Sequence, residues 1–141
     1  MLAMSEAACF RWPVRVYYED TDAGGVVYHA NYLCFMERAR TEMLRHHGLE
    51  QTDIREKLGI VFVVKSMNIE YRRPARFNDA LDVMVEIRDV RRASMTFIQS
   101  VYRAGDPDPL CTAEVMVASL QISNFRPCAL PQALLDILKL K

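Results

Sequence analysis

A change of hydrophobic period near residue 60 constrains this fold more than any other feature of the chain. Between Asn31 and His47 apolar residues recur at Tyr32, Met36, Ala39 and Met43, the spacing of one buried stripe on a helix. From Ile60 onward the period is two. Met67, Ile69 and Tyr71 alternate with Asn68 and Glu70 at the end of Ile60 to Tyr71; Leu81, Val83, Val85 and Ile87 alternate with Asp82, Glu86 and Arg88. Met95, Phe97, Gln99 and Val101 mark a fourth strand, and Leu110 to Ser123 a fifth with Cys111, Ala113, Val115 and Val117 on one face. Ahead of the helix, Arg11 to Tyr18 reads as the first strand, with Val14 and Val16 opposed to Arg15 and Tyr17 after Pro13. Strand, long helix, then four strands joined by short turns predicts an α+β fold, an antiparallel sheet curled around one long helix.

The punctuation agrees with that order. Asn31 is predicted to cap the helix, and Gly48 to end it after Arg45, His46 and His47, whose charge suits the negative end of the helix dipole. Gln51 to Leu58 reads as a short second helix stopped by Gly59, RRPARFND and AGDPDP as turns, and Pro131 as the first residue of a last short helix over about 131–140. A single domain over 1–141 is expected, with its core over about 11–124. Met116, Ala118 and Leu120 give the fifth strand a second apolar face, more than one helix covers. A partner subunit, or the loops and last helix, must cover the remainder.

Lys plus Arg and Asp plus Glu are 18 each, so the chain lacks the basic excess of a protein that grips nucleic acid by its phosphates. Four scattered cysteines form no CxxC pair, and the histidines no HxxxH, which leaves no metal motif and fits reduced thiols in the cytoplasm. The opening MLAMSEAACF has no basic n-region or long apolar run, and no stretch reaches eighteen apolar residues; neither export nor a membrane span is expected.

The junction YYEDTDAGGVVYHANY, Tyr17 to Tyr32, concentrates acids, adjacent glycines and a histidine where a turn needs none of them. Asp20 reads as a turn residue. Asp22 precedes Gly24 and Gly25, which let backbone approach a ligand, and the chain then enters a helix whose first N–H groups lack partners. Free donors with partial positive charge polarise a carbonyl, and a nearby carboxylate attacks it or activates water, which describes acyl transfer to water. His29 could orient substrate, move a proton or help form the donor site. Tyr18 reads as a strand tyrosine able to hydrogen-bond near Asp22, and Glu37 as a surface partner for Arg40. Arg72, Arg73 and Arg76 crowd one turn and Arg88, Arg91 and Arg92 another; such clusters serve solubility or grip the phosphates of a carrier such as coenzyme A.

The residues YEDTDAGGVVYHANYLCFMERAR closely resemble the signature of the 4-hydroxybenzoyl-CoA thioesterase family of hotdog-fold proteins. Thr21 and Asp22 with the HANY of His29 to Tyr32 look most like its YbgC-type acyl-CoA thioesterases, and the likeness extends over Val14 to about Asn124, including IEYRRPARFNDAL. The resemblance implies a five-stranded antiparallel sheet wrapped around one central helix, homodimers joined edge to edge, often dimers of dimers (homotetramers), and acyl-CoA hydrolysis with neither metal nor organic cofactor. It makes Asp22 the catalytic carboxylate, His29 its companion and Tyr18 a further catalytic candidate. Gly25, Val26 and Tyr28, with Arg72, Arg73, Arg91 and Arg92, form the expected substrate-binding surface. Histidine rather than tyrosine at position 29 favours an aliphatic acyl group over hydroxybenzoyl. Two rivals accompany this reading: a non-catalytic module binding an acyl carrier or a protein, and a hotdog dehydratase of hydroxyacyl thioesters.

Overall fold

The computed structural model describes residues 9–138. The segment before Cys9, read above as lacking a signal peptide, and residues 139–141, which include the expected end of the last helix at about 140, lie outside the described residues. The elements are β1 (Cys9–Arg15), α1 (Asn31–His46), a short α2 (Gln51–Asp53) continued as one π turn over Ile54–Leu58, β2 (Ile60–Tyr71), β3 (Ala80–Arg88), β4 (Ser94–Arg103), β5 (Cys111–Gln121) and α3 (Gln132–Leu138). This is the α+β hotdog arrangement, and the period change at residue 60 marks where helix gives way to sheet. No helix among the described residues is long and apolar enough to cross a membrane.

All five strands pair antiparallel in the order β1-β3-β4-β5-β2. β2 and β3 follow one another in the chain but are not neighbours in the sheet. β2 lies at one edge beside β5, β3 lies beside β1, and the 72–79 connection crosses the end of the sheet between them. Periodicity identifies strands but carries no information on which strand pairs with which.

The predicted stripe of α1 is buried: Tyr32, Met36, Ala39 and Met43 are at most 3% exposed, and Phe35 joins them. They pack on Val83, Val85, Met95, Phe97, Val101 and Val115, the inward rows of three central strands. Each fully buried side chain of this size contributes about 1.5–3 kcal/mol. Gly48 stops α1 at φ +84°, and its N–H returns to the Arg45 carbonyl.

The first strand ends earlier than its alternation implied. Val16 is buried, but the chain leaves the sheet after Arg15 and turns through one 3₁₀ turn at Tyr18–Asp20. Asn31 is not the cap of α1; Ala30 occupies that position. The Asn31 amide instead donates back to Asp20 Oδ1 at 2.9 Å. Glu37 does not pair with Arg40: it accepts the Thr41 hydroxyl at 2.7 Å, while Arg40 turns inward to Gln99. For Asn31 and Arg40 a partner distant in sequence displaced the local one, while Glu37 exchanged one local partner for another.

The two sheet edges differ. β1 carries Pro13, which cannot donate to a further strand. β2 has twelve residues with a bulge between Val64 and Ser66, and Val64 is 48% exposed on it.

Candidate active site

Asp20 builds the frame of the loop. Its carboxylate is 6% exposed and accepts the Tyr17 N–H on Oδ2 and the Asn31 amide on Oδ1, both at 2.9 Å, while its carbonyl accepts the Tyr28 N–H at 2.8 Å. One side chain therefore ties the loop entrance to the start of α1, a larger task than the local turn read from sequence.

Within that frame residues 21–27 form a narrow hairpin. Thr21 bridges Val27, the Asp22 N–H donates to the Val26 carbonyl at 2.9 Å, and the Gly25 N–H returns to the Asp22 carbonyl at 3.0 Å. Gly25 closes it at φ +79°, a conformation that a side chain strains. Asp22 Oδ1 accepts the Gly24 N–H at 2.8 Å, and a Cβ at Gly24 would come within 3.2 Å of that oxygen. Asp22 Oδ2 has no hydrogen-bond partner among the described residues, and the residue is exposed.

The crossing 72–79 connection seats the hairpin. Val26 bridges Arg76, the Val27 N–H donates to the Ala75 carbonyl at 2.8 Å, and the Ala75 N–H donates to Tyr32 Oη at 3.0 Å. Tyr71, last residue of β2, donates its hydroxyl to the His29 carbonyl at 2.9 Å. That bond engages the carbonyl, while the N–H groups of His29 and Ala30 donate to no backbone carbonyl among the described residues. The His29 ring is tilted over Tyr28 at 4.5 Å and meets Tyr71 edge-on at 6.2 Å. Burial raises the pKa of Tyr71, and of Tyr32 more deeply inside, so both hydroxyls stay protonated at neutral pH.

Asp22 and His29 thus line one open depression of about 300 Å³, together with Tyr71, Arg72 and Arg73. Tyr28 is 45% exposed at its side, and Gly25 lies in the hairpin that forms its lip. Arg72 reaches Glu70 at 2.9 Å on the surface. Arg73 is held by Asp106 at 2.9 Å and the Asp108 carbonyl at 2.6 Å. The Asp106 carboxyl falls below its usual range, first through the Asp108 N–H it accepts and then through Arg73.

Other residues singled out from sequence lie elsewhere in the protomer. Tyr18 is on the 3₁₀ turn, not in a strand; it is 77% exposed, stacks on Phe77 at 4.0 Å and lines a different groove. Arg91 and Arg92 sit in the β3–β4 turn beyond Arg88, which pairs with Thr96, whereas the depression lies toward the Leu81–Arg103 end. Seven residues separate those ends, about 23 Å at 3.3 Å per residue. Sequence reading missed Tyr71 and Tyr32 as walls of the site. The available signal was position, since Tyr71 ends its strand immediately before the arginine turn. No group of three His, Cys, Asp or Glu able to hold a metal occurs among the described residues.

Residues 16–138 match the model of the thioesterase-like superfamily. The chain is similar to the acyl-CoA thioester hydrolase YbgC of Escherichia coli O6:H1, 50% identical over 89% of this chain and 92% of that one. It is 46% identical to the acyl-CoA thioesterase YbgC of Haemophilus influenzae over 87% and 89% of the two chains. A 1,4-dihydroxy-2-naphthoyl-CoA thioesterase structure from Synechocystis superposes with a TM-score of 0.86 over 92% of this chain and 95% of that one; at 22% identity it speaks for the fold alone. The resemblance read from the TD and HANY residues is borne out, and the chain belongs to the thioesterase-like superfamily as a YbgC-type thioester hydrolase.

Proposed function

We propose that the protein hydrolyses aliphatic acyl-CoA thioesters to the free acid and CoA in the cytoplasm, as a single hotdog domain needing neither metal nor organic cofactor. The observation that carries this reading is the free Asp22 Oδ2 on the same depression as the unpaired His29 N–H. The thioester oxygen sits against the His29 and Ala30 N–H groups at the start of α1, where the helix dipole favours developing negative charge. Asp22 removes a proton from water as the water oxygen bonds to the acyl carbon, or attacks that carbon directly. The tetrahedral centre then collapses and the C–S bond breaks; on the general-base route the CoA thiolate takes the proton that Asp22 removed from water, and on the direct route the collapse leaves an acyl–Asp22 anhydride that water hydrolyses to the free acid, regenerating Asp22 and supplying the thiolate's proton.

The Tyr71 hydroxyl holds the His29 carbonyl back, so the donor rather than the acceptor side of that peptide meets substrate. Gly25, Val26 and Tyr28 line the approach, and Arg72 and Arg73 meet the phosphates of the carrier. Tyr18, outside the depression, has no part in this within-protomer scheme, and Arg91 and Arg92 reach substrate only from another copy. The open β2 edge supports a homodimer joined strand to strand, with dimers of dimers as the next level.

Release of free thiol from a panel of acyl-CoA substrates tests the proposal. Turnover of aliphatic acyl-CoA that disappears in Asp22→Asn is the expected result. Binding without thiol release, the outcome for a carrier-binding module or a dehydratase, overturns it.

A further inference from the structure

A second recess lies away from the depression, between the middle of α1 and the inner face of β2, β4 and β5. It is a half-enclosed slot of about 160 Å³ whose body is apolar, including Leu44, Phe62, Met95, Phe97 and Val117. Glu37, Arg40, Thr41 and Gln51 supply its polar lining. Arg40 is only 9% exposed, yet no carboxylate lies within ion-pair distance of it among the described residues.

The guanidinium has five N–H donors. Nη1 donates to Gln99 Oε1 at 2.9 Å, and Gln99 Nε2 in turn donates to the Met36 carbonyl at 2.9 Å. Among the described residues, Arg88 Nε is the one fully buried side-chain nitrogen or oxygen without a partner. Arg40 Nε and Nη2 therefore have no partner among the described residues and are not fully sealed, and Arg40 is one of the residues that line the slot. A buried cation without a counter-ion is costly, and the Phe97 ring at 5.9 Å from Cζ compensates only in part. Burial lowers the Arg40 pKa, and Glu37 opposes that shift from a distance. Glu37 itself is exposed and engaged elsewhere: it accepts the Thr41 hydroxyl at 2.7 Å, and Thr41 accepts the Gln51 amide at 3.1 Å.

We propose that this slot binds a carboxylate carried on a short aliphatic chain, its oxygens accepting the free Arg40 donors and its chain lying against Phe62, Phe97 and Val117. Forked donors on a desolvated guanidinium match carboxylate geometry. At roughly 30 Å³ per water-sized group the slot holds about five heavy atoms, the size of propanoate. Glu37, of like sign at the rim, weakens the site. The carboxylate comes from a free short acid or from the far end of an acyl group; the recognising chemistry is the same.

The test titrates the full chain with propanoate and with its neutral isostere propanamide, following the Arg40 Nε–Hε resonance by NMR. It reads binding and not turnover, so it stands or falls independently of the thioesterase mechanism. Propanoate is expected to shift that resonance at concentrations about tenfold lower than propanamide. Exposed Glu37→Gln should tighten propanoate binding about threefold by removing a like charge, and Arg40→Gln should weaken it about tenfold or more. Equal binding of the two isosteres, or a Glu37→Gln variant with unchanged propanoate affinity, overturns the proposal whether or not the Arg40 variant folds. The two sources separate on substrate. If the acyl group supplies the carboxylate, Glu37→Gln lowers KM for an acyl-CoA ending in carboxylate relative to a methyl-ended one of equal length. With propanoate bound and that ratio constant, the site takes the free acid.

Discussion

Asp20 and Asp22 stand two residues apart in one loop and do opposite things. The Asp20 carboxylate is buried and satisfied on both oxygens by groups that hold the loop to α1. The Asp22 carboxylate is exposed, anchored by one oxygen to Gly24, and keeps the other for a ligand. Residue type therefore says little about role; the number of partners already engaged says much more. A carboxylate whose acceptors are spent maintains a shape, and one with an oxygen in reserve is available for chemistry.

The contrast breaks most directly at Asp22. Asp22→Asn is expected to cut thiol release at least ~100-fold, about 2.7 kcal/mol of transition-state stabilisation, with the melting temperature within ~2 °C of the parent. Substantial turnover in that variant would show that the reserved oxygen is idle. Asp20→Ala sits on the other side of the comparison. Stripping the Tyr17 N–H and the Asn31 amide of their acceptor should cost about 2 kcal/mol of stability, a fall of about 8 °C measured at fixed protein concentration. An unshifted unfolding curve would remove Asp20 from the frame.

Smaller changes sharpen the picture. Tyr71→Phe releases the His29 carbonyl and should lower kcat about five- to tenfold, near 1 kcal/mol, with little change in KM. A pure KM effect would instead make Tyr71 a substrate contact. Arg72→Ala, which removes a guanidinium already shared with Glu70, should raise KM for acyl-CoA about twofold to threefold and flatten its rise with salt. Arg91→Ala, at the far strand ends, is the matched control; an equal rise there would mean that a second copy brings that turn to the substrate.

Much of the architecture is legible in sequence because burial enforces periodicity. The α1 stripe, the inward rows of β3 to β5, and the stops at Gly48 and Gly59 follow from side-chain direction and backbone freedom. Strand order is not legible, since β2 satisfies its inward row equally well beside β3 or β5. The site divides the same way. Asp22, His29 and the glycine pair announce themselves by crowding, whereas Tyr71 enters only because the 72–79 connection crosses the sheet end and brings residues 42 apart in sequence together. Arg40 was read against Glu37 because a neighbour four residues or fewer away is the only kind a linear pattern reveals; its actual partner, Gln99, is 59 residues distant.

The unlike margins of the sheet also limit how copies can associate. Proline in β1 discourages a newcomer on that side, while the long β2 leaves its outer amides and carbonyls ready to pair. Once two copies meet through β2, only proline-bearing margins face outward. In such a dimer, assembly by strand addition would terminate after one step, without the open-ended fibres that two receptive margins invite.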